Sequence, residues 1–132
     1  MAERANGILL DTSVVVAHLR GRIDLQSLAT ADEPLFLPLV ALGELYRGVL
    51  KSSRPEFNRA KVDEFLQIAA VLSPDVATAD IYARIAQALE VKGTPIPEND
   101  IRIAAVALEC DMPLATRDDH FRKIDKLDIL WW

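Results

Sequence analysis

The stretch ILLDTSVVVAHL, residues 8–19, has the pattern of a buried strand followed directly by a helix, with an aspartate between them. Its first residues form an apolar run typical of a strand buried on both faces, and the run after Asp11 suits a helix that Thr12 or Ser13 would cap. Asp11 stands between the two elements, inside a segment that otherwise predicts burial. Because a buried carboxylate without a partner is costly, we expect Asp11 at an open edge of the fold or beside a positive charge.

The alternation of strand and helix continues along the chain. Further strands are predicted in apolar runs at residues 35–37, 71–73, 113–116 and 128–132. The segments between them predict a short helix at 25–31, amphipathic helices after Pro38, Pro55 and Pro74, and a buried helix at 100–110. Strands separated by helices predict the α/β class, here a three-layer α/β/α sandwich around a central, mainly parallel sheet.

Length and composition limit the function classes. With 132 residues, 51% of them hydrophobic, residues 1–132 are expected to form one domain with a real core. The opening MAERANG is charged and precedes only a brief apolar run, so we expect a cytoplasmic protein without a signal peptide or membrane span. The single Cys110 excludes an internal disulfide. A net charge of −5 disfavours general nucleic-acid coating and leaves room for a basic protein partner.

Three acidic residues fall at the ends of predicted elements. Asp11 follows the first strand, Asp118 follows the strand at 113–116 after one arginine, and Asp100 opens the buried helix. In open parallel sheets, ligands bind beyond the carboxyl ends of the strands, and a helix N-terminus favours a negative charge. The fold therefore has the means to gather these acids at one edge.

Each acid also has a structural explanation. Asp100, preceded by Asn99, can serve as a helix cap, and Asp118 and Asp119 can be ordinary turn residues. Glu44 lies opposite the apolar stripe of its helix, where a solvated glutamate would look the same. Asp11 is the hardest to explain in this way, because its neighbours predict burial.

A cluster of these carboxylates would need cations. Close pairs repel by ~4 kcal/mol at an effective dielectric constant near 20, and a divalent ion removes that repulsion. Oxygen ligands suit Mg²⁺ or Mn²⁺, whereas zinc prefers Cys and His. The two histidines, His18 and His120, are too few and too scattered to predict a zinc site. For His120 a place near the acids is open, and we expect the alternative, a surface role.

Four motifs resemble those of a known family. LLDTSVV, ALGELYRG, PIPENDIRIAAVAL and PLATRDDHF, in this order and spacing, are similar to the PIN-domain ribonucleases, and in particular to VapC toxins of bacterial VapBC toxin–antitoxin pairs. The resemblance covers nearly the whole chain. It assigns the family's four acids to Asp11, Glu44, Asp100 and Asp118, with Asp119 adjacent to the last. Arg102 departs from the aromatic or aliphatic residue usual at its position.

The resemblance also implies an activity and partners. It implies a Mg²⁺-dependent endoribonuclease, with Mn²⁺ as an alternative ion, that cuts RNA such as tRNA or rRNA. It further implies a VapB-like antitoxin whose tail blocks the acidic groove, and a homodimer. Asp11 and Asp100 would be the principal ligands, and Glu44 and Asp118 would bind a second ion or hold its waters. The candidates for supporting these groups are Ser13, Thr116, Asn99 and Asp119, with helix capping and packing as the alternative role of Ser13 and Thr116.

Two other readings remain open from the residues. One is a phosphoryl-accepting aspartate after the first strand, but Ser13 replaces the second aspartate of dehalogenase-type phosphatases. Response-regulator receivers have additional acids before that strand, where only Glu3 is present. The other is a PIN-like binding module without activity, which the presence of all four acids disfavours.

Overall fold

The structure is a computed structural model that describes residues 7–30 and 32–132. Our interpretation of the opening residues 1–6, and the last residue of the short helix expected at 25–31, lie outside the described part. Among the described residues, none of the helices has both the length and the apolar character needed to cross a bilayer.

The described residues form one sheet of five parallel strands. The strands are β1 (Ile8–Leu10), β2 (Leu35–Pro38), β3 (Ala69–Leu72), β4 (Leu114–Thr116) and β5 (Ile129–Trp131). Their order is β3-β2-β1-β4-β5, so β1 lies in the middle, hydrogen-bonded to β2 on one side and to β4 on the other. The predicted parallel sheet is confirmed, and β3 begins two residues earlier than the expected 71–73.

Six α-helices and one 3₁₀ helix connect the strands within this part of the chain. They are α1 (Thr12–Leu19), α2 (Leu25–Leu28), α3 (Leu39–Lys51), α4 (Pro55–Phe65), α5 (Val76–Lys92), α6 (Glu98–Glu109) and the 3₁₀ helix Asp119–Lys123. The α5 helix ends where Gly93 adopts a left-handed conformation with φ of 69°. Helices and sheet together form the expected three-layer α/β/α sandwich.

Two helix starts differ from the sequence-based expectation. The residue that caps α1 is Asp11 itself, whose side chain accepts from the Ser13 backbone N–H, while Thr12 and Ser13 are already helical. The α6 helix begins at Glu98, so Asp100 lies in its first turn and does not open it. An aspartate is favourable both at the cap of a helix and in its first turn, because its negative charge lies near the free backbone N–H groups there. The local sequence therefore does not decide between these two positions.

The core positions the carboxyl ends of two strands side by side. All three residues of β1 are fully buried, as are the residues at the centre of α6 that include Ala104 and Ala105. Chain connections leave β1 towards β2 on one side, and β4 joins it on the other. Because the connections run in opposite directions from β1, a crevice forms between the carboxyl ends of β1 and β4, and open α/β sheets bind ligands in such a crevice. Asp11 follows the end of β1, and Thr116 is the last residue of β4.

Candidate metal centre

Asp11 is buried and held by hydroxyl groups. Only 4% of the residue is exposed. Its Oδ2 accepts hydrogen bonds from Ser13 Oγ at 2.6 Å and from Thr116 Oγ1 at 2.8 Å, and the Ser13 backbone N–H donates at 3.4 Å. The acid in the apolar run is therefore fixed by neutral donors from α1 and β4, not by the positive charge that we considered.

The end of β4 continues this network. Thr116 Oγ1 accepts from the Asp118 backbone N–H at 3.0 Å, and Ser13 Oγ accepts from the Arg117 N–H at 3.0 Å. Asp118 then caps the 3₁₀ helix, because its Oδ1 accepts from the His120 backbone N–H at 2.9 Å. The loop after β4 is thus fixed against the start of α1, and the Asp118 carboxylate is oriented by the backbone N–H of His120.

Asp100 faces the same place from the first turn of α6. Its side chain is 13% exposed, and burial raises the pKa of its carboxyl above the usual value. The charges of Asp11 and Asp118 raise this pKa further, while the contact with His120 opposes the change. Asp100 is therefore a carboxylate that gains from a cation at this position.

His120 lies between two of the acids. Its Nδ1 is 2.9 Å from Asp100 Oδ2 and 3.1 Å from Asp118 Oδ1. One ligand atom from each of these three residues lies within 4.8 Å of the other two. The structure favours the alternative that we ranked second for His120: the side chain is 43% exposed, but its ring nitrogen belongs to the acidic cluster and does not serve a surface role alone. The sequence signal for this position is the spacing of Asp118 and His120, since an aspartate two residues before a histidine can cap the turn between them.

Glu44 enters the cluster's groove from α3. The groove has a volume of about 450 Å³ and is lined by Glu44, Pro97, Glu98, Asn99, Asp100, Asp118 and His120. Glu44 is half-buried, and its Oε1 accepts a hydrogen bond from Thr12 Oγ1 at 2.9 Å. It is therefore oriented by the residue next to Asp11 and is not a freely solvated glutamate.

The remaining candidates divide between the groove and its surroundings. Asn99 lines the groove, where its Oδ1 accepts from Arg102 Nη1 at 3.1 Å, so Arg102 lies at the rim. Asp119 points away: its side chain is 85% exposed and pairs with Arg122 at 3.0 Å. Of the two adjacent aspartates, the structure places only Asp118 in the groove.

Lysine and arginine do not balance the four candidate acids in the described part of the chain. A further acid of the groove, Glu98, differs, because its Oε2 lies 3.9 Å from Arg102 Nη2. Within residues 7–30 and 32–132, no Lys or Arg lies within ion-pair distance of Asp11, Glu44, Asp100 or Asp118. Carboxylates that gather without such a partner repel one another, and oxygen donors of this kind suit a hard divalent ion. The donor set therefore fits a divalent metal.

Comparisons with known proteins agree with the geometry. The family model described as PIN domain matches residues 8–127. Ribonuclease VapC5 of Mycobacterium tuberculosis is 32% identical over 119 residues, which cover 89% of this chain and 87% of the relative. Ribonuclease VapC2 of Rickettsia felis is 28% identical, with 94% of this chain and 96% of the relative covered.

A solved structure shows the same fold. The crystal structure of VapBC2 from Rickettsia felis, bound to a DNA fragment from the promoter, contains a chain that superposes on this one with a TM-score of 0.89 at 27% identity. The match covers 95% of this chain and 98% of the other. The resemblance seen in the four motifs is confirmed, and this chain belongs to the PIN-domain family and, within it, to the VapC ribonucleases.

Proposed function

We propose that this protein is a Mg²⁺-dependent endoribonuclease that acts as the toxin of a type II toxin–antitoxin pair. One observation carries the proposal: Asp100, Asp118 and Glu44 line one groove, beside Asp11 at the carboxyl end of β1, in a chain of the PIN-domain family. In this proposal Asp11, Glu44, Asp100 and Asp118 are the catalytic acids.

The chain's residues have distinct tasks. Asp100 and Asp11 would hold the principal ion, with Glu44 and Asp118 holding a second ion or ordered water. Once bound, a divalent ion supplies a water of lowered pKa and offsets charge on the reacting phosphate. Ser13 and Thr116 keep Asp11 in place through their hydroxyls, and Thr12 does the same for Glu44.

The direct test is cleavage of structured RNA by purified protein. We expect cleavage with Mg²⁺, its loss in excess EDTA and its return when Mg²⁺ is restored. Asp100→Asn should abolish cleavage. Asp119→Asn makes the same change of charge at an exposed residue outside the groove and should leave cleavage intact. Cleavage that continued in excess EDTA would contradict the proposal. Turnover of a phosphomonoester would instead support the phosphatase reading, and RNA binding without cleavage would support the inactive module.

We further propose a VapB-like antitoxin as partner. The solved relative from Rickettsia felis is a VapBC2 complex. In this chain Glu44 lines both the acidic groove and a second groove of about 300 Å³ between α1, α3 and α4. The second groove has an apolar wall that includes Val16, Leu19, Leu45, Val49 and Val62. An apolar segment that ends in Arg or Lys would fit this pair of surfaces, with its cation among the carboxylates.

Co-expression with the product of the neighbouring small open reading frame tests this partner. We expect the two proteins to elute together, and Glu44→Lys to weaken the complex because it reverses the charge at the junction of the grooves. Lys51→Glu, on the same helix but outside both grooves, is the matched control. Separate elution of the wild-type proteins at micromolar concentration would contradict the toxin–antitoxin assignment.

The remaining expectations come from the family resemblance, for the RNA and the dimer, and from the length and opening residues, for the domain and the location. We propose tRNA or rRNA as substrate, a cytoplasmic location where these RNAs are found, a single domain over residues 1–132, and a homodimer. Light scattering on the eluted protein measures the mass of the assembly, and sequencing of RNA ends after induced expression identifies the RNA that is cut.

A further inference from the structure

The position of His120 has chemical significance for the ion. Its Nδ1 lies 2.9 Å and 3.1 Å from oxygens of two acids that line the groove. Neighbouring ligand atoms around an ion with bonds of about 2.1 Å are roughly 3.0 Å apart in octahedral geometry. The nitrogen therefore has the spacing of a third ligand atom beside the oxygens of Asp100 and Asp118.

The backbone that carries the ring is held on both sides of the turn. The cap from Asp118 to the His120 N–H fixes the start of the 3₁₀ helix, and the next residue, Phe121, is fully buried. The backbone at His120 is thus held by a capped turn and a core anchor, and the ring itself contacts the two acids. A histidine of the same chain, His18, has a different environment: its Nδ1 accepts from the Leu25 backbone N–H at 3.2 Å.

We propose that His120 supplies a nitrogen ligand to the metal centre and gives it a preference for first-row transition ions such as Mn²⁺ over Mg²⁺. Imidazole nitrogen suits transition metals, whereas Mg²⁺ strongly prefers oxygen. This inference rests on the proposed function, since it concerns the ligands and the relative ion affinities of the same groove, in which Mg²⁺ also binds. It makes His120 a specificity-determining residue that no motif match assigned.

The alternative role for His120 predicts an opposite effect of substitution. If the ring only donates a hydrogen bond to the carboxylates, it competes with every cation equally. Its removal would then raise the affinity for Mn²⁺ and Mg²⁺ alike. If the nitrogen is a ligand, removal lowers the affinity for Mn²⁺ and leaves that for Mg²⁺ unchanged or raised.

Pulsed electron paramagnetic resonance of the Mn²⁺-loaded protein tests the nitrogen directly. We expect ¹⁴N modulations from a coordinated imidazole in the wild type, replaced by the ¹⁵N pattern when histidine is ¹⁵N-labelled. The modulations should persist in His18→Gln and disappear in His120→Gln, which offers an oxygen in place of the nitrogen. By calorimetry, His120→Gln should lower Mn²⁺ affinity roughly tenfold or more, while Mg²⁺ affinity does not fall.

The outcomes separate this inference from the proposed function. Mn²⁺ that binds with dependence on Asp100 but shows no nitrogen coupling would overturn the role of His120 and leave the metal-dependent nuclease intact. If neither Mn²⁺ nor Mg²⁺ binds the wild type, or if both bind Asp100→Asn as tightly as the wild type, the role of His120 and the metal-dependent nuclease are both overturned. An equal gain for the two ions in His120→Gln would assign His120 the hydrogen-bonding role alone.

Discussion

Thr116 donates a hydrogen bond to Asp11 across 105 positions of the sequence, in the buried seam between β4 and β1. The same hydroxyl accepts from the Asp118 backbone N–H. Thr116→Val keeps the shape and removes both bonds, so we expect a loss of about 1–3 kcal/mol in the free energy of unfolding. Urea denaturation of the metal-free protein measures the change.

The chain offers a matched control for that substitution. Among the described residues, the buried hydroxyl of Thr94 has no hydrogen-bond partner. Thr94→Val should therefore leave stability unchanged or increase it, because it removes an unsatisfied polar atom. Equal destabilisation by the two substitutions would show that Thr116 acts only through its packing.

Asp11→Asn tests how repulsion and hydrogen bonding balance at the first acid. The substitution relieves repulsion from Asp100 and keeps an oxygen that can accept from Ser13 and Thr116, although more weakly. We expect the metal-free free energy of unfolding to change by less than about 1 kcal/mol, and the Mg²⁺-induced rise in melting temperature to disappear. Thermal melts in EDTA and in Mg²⁺ give both quantities. A retained metal response would exclude Asp11 from the ligand set.

The two adjacent aspartates should differ sharply. Asp118→Asn removes a groove carboxylate and should reduce cleavage by roughly 10-fold to 100-fold. Asp119→Asn changes an exposed residue that pairs with Arg122, so its activity should remain near that of the wild type. Initial cleavage rates at saturating Mg²⁺ measure the contrast. The reverse ranking would assign the fourth acid to Asp119.

Asp100 should make the metal-free protein less stable as the pH rises. Burial raises the pKa of its carboxyl above the usual value, so the folded protein binds this proton more tightly than the unfolded chain does. Its contribution is therefore most favourable below the unfolded pKa and is lost as the pH rises through the folded pKa. Asp100→Asn cannot ionise and should melt higher than the wild type in EDTA at neutral pH, with the difference vanishing in acid. Parallel melting curves of the two proteins across the pH range provide the measurement.

The sequence predicts the fold well because its strands are distinct apolar runs. β1 and β4 are buried on both faces, so their composition alone separates them from the amphipathic helices between them. The exact helix starts are harder to predict, because several residues near Asp11 and Asp100 can satisfy the first N–H groups of a helix. Local preference allows each of these starts, and tertiary packing selects one.

The site is only partly predictable for a related reason. Asp11 and Asp100 are visible as acids at the ends of buried elements. The pairing of Asp11 with Thr116 joins distant segments, and the contact of His120 with Asp100 depends on how the turn after β4 is capped. Neither relationship has a local periodicity, so the sequence indicates the residue types and the fold alone brings them together.

The central place of β1 has a consequence for the order of synthesis. Among the described strands β1 is made first, whereas β4, the neighbour that completes its other side, is the fourth of five. A chain still attached to the ribosome carries Asp11 and Glu44 long before Thr116 and Asp118 exist. The proposed metal centre therefore cannot assemble before the chain has been made through Asp118, and any shorter nascent chain carries only part of the acidic cluster.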